Sequence, residues 1–226
     1  MCGIVGYVGE KQAANFLIDG LTKLEYRGYD SAGIAVFDGE KINVAKSVGR
    51  LAALKEKIKN NTPEGVMGIG HTRWATHGRP SDVNSHPHTD CSGKFAIVHN
   101  GIIENFMSLK EELIAKGHKF VSETDTEVVA HLIEDVYEGD FVEAVNKVLN
   151  RIEGSYSLAF MCQDYPDTLI CTKKDNPLVI GLGEGENFIA SDIPAIIAYT
   201  RRTYIMNDGE IAVVKKDSIW VTDRKG

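Results

Sequence analysis

With 226 residues, 43% of them hydrophobic and 25% charged, the chain has a globular composition and is long enough to bury a sizeable core. Its net charge of -7 excludes a nucleic-acid surface, because no basic patch exists beyond the run at 55–59, which reads as a solvated helix face. Without a leader pattern or an apolar run near membrane-span length, the expectation is a cytoplasmic protein with no membrane attachment, and the unpaired spacing of Cys2, Cys91, Cys162 and Cys171 predicts free thiols.

The chain opens with a thiol directly behind Met1 that runs into an apolar strand at 4–8. Cys2 alone reads as a small buried residue beginning a strand. If Met1 is removed, however, Cys2 unites a thiol of ordinary pKa about 8.5 with an α-amine of about 7.7–8.0 that can accept its proton. An amphipathic helix follows at 12–26, with Ala14, Leu17, Leu21 and Leu24 on one face, and stops at Arg27-Gly28. Strands at 31–38 and 41–47 flank Asp38-Gly39, a strong hairpin signal. After a short helix at 51–60, a strand at 66–72 delivers Arg73 at its end.

Residues 74–92 form a long segment with Pro80, Pro87 and three histidines but little periodicity, the kind of loop that tends to be functional. A strand at 95–99 is expected to empty into a turn at Asn100-Gly101. Ser108-x-x-Glu111 and Thr124-x-x-Glu127 read as capping boxes of two helices, the second with Asp125 in its first turn, and a further helix spans 141–152. The remainder is strands at 155–161, 167–171, 178–182, 188–190, 203–206, 211–215 and 218–221, interrupted by a short helix at 193–198. Helices segregated from hairpin-linked strands predict an α+β fold of two packed antiparallel sheets with helices outside, in one domain over 1–226.

Three polar stretches stand at strand or helix ends. In the first, HTRWATHG (71–78), Arg73 can hold a carboxylate with two charge-assisted bonds beside the wall of Trp74, or can be an ordinary salt-bridged turn residue. In HNGIIEN (99–105), Asn100 offers a side-chain NH2 and Gly101 an unobstructed backbone N–H, a pair of donors for an oxyanion if they are not simply a turn. In SETDTE (122–127), an acidic residue can meet a substrate ammonium or merely complement the helix dipole. His71, His77, His86, His88 and His99 lack zinc-site spacing, so no metal is expected, and GLGEGEN (181–187) departs from a phosphate loop at Glu186 and reads as a turn between strands.

Taken in order, CGIVG (2–6), YRGYDSAG (26–33), HTRWATHG, HNGIIEN and SETDTE resemble the class II glutamine amidotransferases, most of all the branch whose ammonia converts fructose 6-phosphate to glucosamine 6-phosphate. Thr200-Arg-Arg-Thr-Tyr204 and Asp208-Gly-Glu-Ile-Ala212 extend the resemblance over essentially the whole chain. It implies a four-layer αββα fold of the N-terminal nucleophile hydrolases. It further implies Cys2 as nucleophile with its own amine as base, and Asn100 with Gly101 as oxyanion hole. Arg73, Thr76 and His77 would surround the α-carboxylate of L-glutamine and Asp125 its α-ammonium, with Trp74 and His86 at a loop closing over the substrate and Arg27-Gly28 near the nucleophile. No cofactor is implied. The implied partner is a sugar-phosphate isomerase half, normally covalently attached and absent from this chain, and a homo-oligomer is compatible with the sequence. An N-terminal-cysteine hydrolase of another amide and a non-catalytic glutamine-sensing domain are the competing readings.

Overall fold

The fold was obtained as a computed structural model that describes residues 2–223. The condition that Met1 be removed concerns a residue outside that range. Chain order is β1 (Gly3–Val8), α1 (Ala13–Leu24), β2 (Ser31–Phe37), β3 (Ile42–Val48), α2 (Leu51–Ile58), β4 (Met67–Arg73), β5 (His88–Thr89), β6 (Phe95–Ile103), α3 (Phe106–Ala115), α4 (Glu127–Val136), α5 (Phe141–Leu149), β7 (Gly154–Cys162), β8 (Leu169–Lys174), β9 (Val179–Leu182), β10 (Asn187–Ala190), β11 (Thr203–Ile205), β12 (Ile211–Val214) and β13 (Ile219–Thr222). Among the described residues, no helix is long and apolar enough to cross a membrane.

The strands form a seven-stranded sheet, ordered β11-β9-β10-β1-β4-β2-β3, and a six-stranded sheet, ordered β13-β12-β8-β7-β6-β5. The paired strands run antiparallel. Side chains alternate across each strand, so one strand feeds two cores. In β1, Val5 and Tyr7 pack beneath α1 with Leu17 and Leu21, whereas Ile4 and Val8 face the other sheet. In β6, Phe95 and Ile97 pack under the α3–α5 layer while Ala96 and Val98 meet Ile4 and Ile69 between the sheets. The result is helix, sheet, sheet, helix: the expected αββα sandwich.

The same alternation builds the site. Continuing the inter-sheet parity beyond the apolar core reaches Cys2 from Ile4, His71 and Arg73 from Ile69, and Asn100 from Val98. Polar residues thus take over from apolar ones at one end of the inter-sheet space.

Four local expectations are corrected. Instead of turning at Asn100-Gly101, β6 continues to Ile103 because Asn100 pairs with Ser157 and Gly101 with Tyr156 in the β7 ladder. Ser108 caps nothing: α3 has already begun at Phe106, and the Ser108 hydroxyl donates back to the Asn105 carbonyl at 2.9 Å. Asp125 lies just ahead of α4 rather than in its first turn, since Glu127 opens the helix and uses its carboxylate to accept from the backbone N–H groups of Val121 and Ser122. The helix at 193–198 shrinks to a single 3-10 turn, Ile193–Ala195. The turn assigned to GLGEGEN does join β9 to β10.

Candidate functional site

A cavity of about 330 Å³ lies where the polar ends of β1, β4 and β6 converge. That is a sufficient size for a small amino-acid ligand. Cys2, Arg27, Arg73, Trp74, Thr76, His77, His86, Asn100, Gly101 and Asp125 all line it. Gly28 stands behind the wall: a Cβ there would lie 2.9 Å from the Arg73 carbonyl, so glycine lets the 25–28 turn press against the end of β4.

Cys2 is half-buried, with its sulfur held against one peptide. Sγ accepts from the Trp74 N–H at 3.1 Å and can donate to the Trp74 carbonyl at 3.4 Å. Burial pushes the thiol pKa up, against the opposing pull of the Trp74 N–H, so the resting sulfur keeps its proton. The Cys2 carbonyl accepts from Arg27 Nε at 3.2 Å and from Asn100 Nδ2 at 3.1 Å. Arg27 is anchored in turn by Asp192 at 3.0 Å, fixing the start of β1 from both sheets.

The orientation of Asn100 is set by His71, whose role sequence reasoning missed. His71 Nε2 lies 3.0 Å from both the His99 carbonyl and Asn100 Oδ1, two acceptors, so it is Nε2 that bears the proton. Burial holds the imidazole neutral, with its pKa lowered to about 3. Asn100 Oδ1 is thereby turned away and its NH2 is aimed toward Cys2, with one N–H left for a ligand. The signal was present in the strand alternation, which puts 71 and 100 on the same face as Cys2. His86, expected only at a loop, stacks on His71 with ring centroids 4.0 Å apart and interplanar angle 11°.

Gly101 has φ of +122°, and a Cβ would fall 2.1 Å from the Ser155 carbonyl, so no other residue fits this point of the β6–β7 ladder. Beside it, Asn176 Nδ2 is buried without a hydrogen-bond partner among the described residues; Asn176 also lines the cavity and was not anticipated.

Across the cavity, the buried Arg73 guanidinium donates to the carbonyls of His77, Gly78 and Arg79, and so folds the 74–79 loop around itself. Among the described residues no carboxylate lies within 4.0 Å of it, leaving a buried positive charge with neutral partners only. Asp125 is also buried and lines the cavity; its Oδ2 accepts from the Ile103 N–H at 2.8 Å, and its Oδ1 lies 3.9 Å from His77 Nδ1, which has no hydrogen-bond partner among the described residues. Asp30, quoted in the YRGYDSAG motif without a role, accepts from the Ala75 N–H and ties down the other side of the loop. Trp74 and Thr76 are exposed on that loop, Trp74 edge-on to Tyr29 at 5.3 Å. One cavity therefore holds a thiol, oriented amide donors, an unneutralised guanidinium and a carboxylate.

Residues 71–198 match the family model described as a glutamine amidotransferase domain. The glutamine-fructose-6-phosphate aminotransferase (isomerizing) of Caldanaerobacter subterraneus subsp. tengcongensis is 60% identical over 223 residues, and that of Clostridium tetani 53% over 226. These alignments cover 99% and 100% of this chain but 37% of each relative, so the chain spans little more than a third of their length. Among solved structures, the glutamine phosphoribosylpyrophosphate amidotransferase of B. subtilis superimposes with TM-score 0.86 at 27% identity, covering 99% of this chain and 49% of that one. A glutamine aminotransferase class-II domain protein from Silicibacter pomeroyi, at 14% identity and TM-score 0.67, shares the fold. On the strength of the family match, the identities across nearly its full length and the common sandwich, this chain belongs to the class II glutamine amidotransferases, enzymes of the N-terminal nucleophile fold.

Proposed function

We propose that the chain hydrolyses the side-chain amide of L-glutamine to glutamate and ammonia through a thioester on Cys2. What supports this most is the single cavity shared by Cys2, Arg73 and Asp125: a nucleophile between a cation and an anion suits an amino acid held at its α-carboxylate and α-ammonium with its side chain extended to the sulfur.

In this reading the freed α-amine of Cys2 takes the thiol proton, and the thiolate attacks the amide carbon. The carbonyl oxygen becomes an oxyanion that receives the spare Asn100 N–H and the Gly101 N–H. Collapse breaks the C–N bond while the Cys2 ammonium gives its proton to the departing nitrogen, releasing ammonia and leaving the γ-thioester. Water, deprotonated by the same amine, then attacks the thioester; glutamate departs and the thiol is restored. Thr76 and His77 complete the carboxylate end, Trp74 and His86 lie at the closing loop, and Arg27 with Gly28 positions the strand that bears the nucleophile.

The ammonia would be destined for the amination of fructose 6-phosphate in a sugar-phosphate isomerase half, as the names of the relatives suggest and as their greater length allows. Glutamate release measured on the wild type and on Cys2→Ala tests the reading: production by the wild type alone is expected, and equal release by both would refute it.

A further inference from the structure

Outside the lining of the cavity, Cys91, His118, His131 and Glu134 bring one ligand atom each to a common point, all within 4.8 Å of one another. Cys91 sits in the β5–β6 turn. His118 follows Gly117, whose φ of +100° ends α3: the Gly117 N–H bonds back to Ile114 and the His118 N–H to Leu113, a helix stop that delivers the imidazole. His131 and Glu134 lie three residues apart on one face of α4.

We propose that these four residues form a structural site for a divalent zinc-type cation, ligated by Cys91 Sγ, His118 Nδ1, His131 Nδ1 and Glu134 Oε2. Tetrahedral zinc, with bonds of about 2.3 Å to sulfur and 2.0–2.2 Å to nitrogen and oxygen, sets its ligand atoms roughly 3.4–3.6 Å apart. The observed separations bracket this: 3.5 Å from Cys91 Sγ to His131 Nδ1, 4.0 Å to His118 Nδ1, and 3.0 and 3.6 Å from Glu134 Oε2 to the two Nδ1 atoms.

The surroundings favour a cation over a self-satisfied polar cluster. His131 Nε2 lies 3.3 Å from Glu127 Oε1 and His118 Nε2 lies 3.7 Å from Asp135 Oδ1, so each ring has a carboxylate behind it that favours a proton on Nε2 and a lone pair on Nδ1. Cys91 Sγ further accepts from the Lys119 N–H at 3.4 Å, and Glu134 Oε2 from the Cys91 N–H at 3.2 Å. Two imidazole lone pairs and a carboxylate oxygen then converge with only the Cys91 N–H and the thiol proton to share. A thiolate and a carboxylate would make a dication electrically neutral, and four protein ligands would leave no open position, which marks a structural rather than a catalytic centre. The ion would clip the turn after β5, and with it the end of the 74–92 segment, onto α4.

The test is metal content and cobalt spectroscopy on the intact chain. The expected results are one tightly held zinc per chain, a thermal midpoint that rises when zinc is restored to chelated protein, and a cobalt form showing a thiolate charge-transfer band with tetrahedral d–d transitions. The band should persist in Cys2→Ala and vanish in Cys91→Ser, while Asp135→Asn should weaken zinc affinity by about 10- to 100-fold. No stoichiometric zinc, or cobalt binding indifferent to Cys91→Ser and abolished by Cys2→Ala, would overturn the proposal. If Cys91→Ser folds poorly, His118→Ala serves as a second ligand deletion with the same spectroscopic readout.

Discussion

Asn100 illustrates how a neutral side chain is given a direction. Its amide bridges the sheets, accepting from His71 and donating to the Cys2 carbonyl, so its second N–H is committed in space before any ligand arrives. Such a donor is worth most where charge develops during reaction. Asn100→Ala is therefore expected to lower kcat by about 10²- to 10³-fold with little change in KM; a rise in KM at unchanged kcat would assign the residue to ground-state binding. The proposal of Asn100-Gly101 as a pair of oxyanion donors came from residue type, but the place of the pair was misread as a turn. An Asn-Gly dipeptide scores as a turn, and only the β7 ladder, more than fifty residues later in the chain, keeps it in strand. His71 was hidden for a different reason: placed in the strand at 66–72 and weighed only as a metal ligand, it does not announce that it orients a residue on the opposite sheet.

At the scale of elements, the hairpin, the two sheets and the outer helices followed from hairpin-linked strands set apart from amphipathic helices, and the apolar runs such as 4–8 fit strands buried on both faces. What local text misjudged were helix starts. Ser108-x-x-Glu111 and Thr124-x-x-Glu127 have capping-box spacing, yet the helices begin at Phe106 and Glu127: the Ser108 hydroxyl donates to the Asn105 carbonyl inside α3, and the Thr124 hydroxyl is taken up by His88 at 3.0 Å. The metal cluster was invisible for the plain reason that its ligands come from a turn, a helix stop and a helix face, and match no contiguous zinc motif. The β6–β7 ladder also yields a prediction. Gly101→Ala must accommodate a Cβ at φ of +122° against the Ser155 carbonyl, so it should cost about 2–3 kcal/mol of unfolding free energy and abolish turnover. Chemical denaturation alongside a glutaminase assay checks this, and a fully stable, active variant would contradict it.

For the whole molecule, the inter-sheet space is apolar at its centre and becomes a histidine-lined polar chamber at one end. His71, His86 and His99 are buried and held below their ordinary pKa mainly by desolvation, His71 at about 3. An unfolded chain would protonate them near 6.5, binding more protons than the fold does, so their contribution to stability is fully present above about 6.5 and lost as pH falls toward about 3. The thermal midpoint should be level above neutrality and decline steadily on acidification, with the cavity end of the sandwich losing hydrogen-exchange protection first. A midpoint unchanged down to about pH 4 would mean that these rings are solvated or already charged in the fold.

The central claim is that sulfur and amine of one terminal residue act together, and the decisive comparison is between chains that differ only in that terminus. Intact mass identifies chains beginning at Cys2 and chains that keep Met1, and glutamate release is measured on each. Activity confined to chains with a free Cys2 amine is the predicted result. Equal turnover by chains retaining Met1, whose Cys2 nitrogen is an amide and no base, would contradict it.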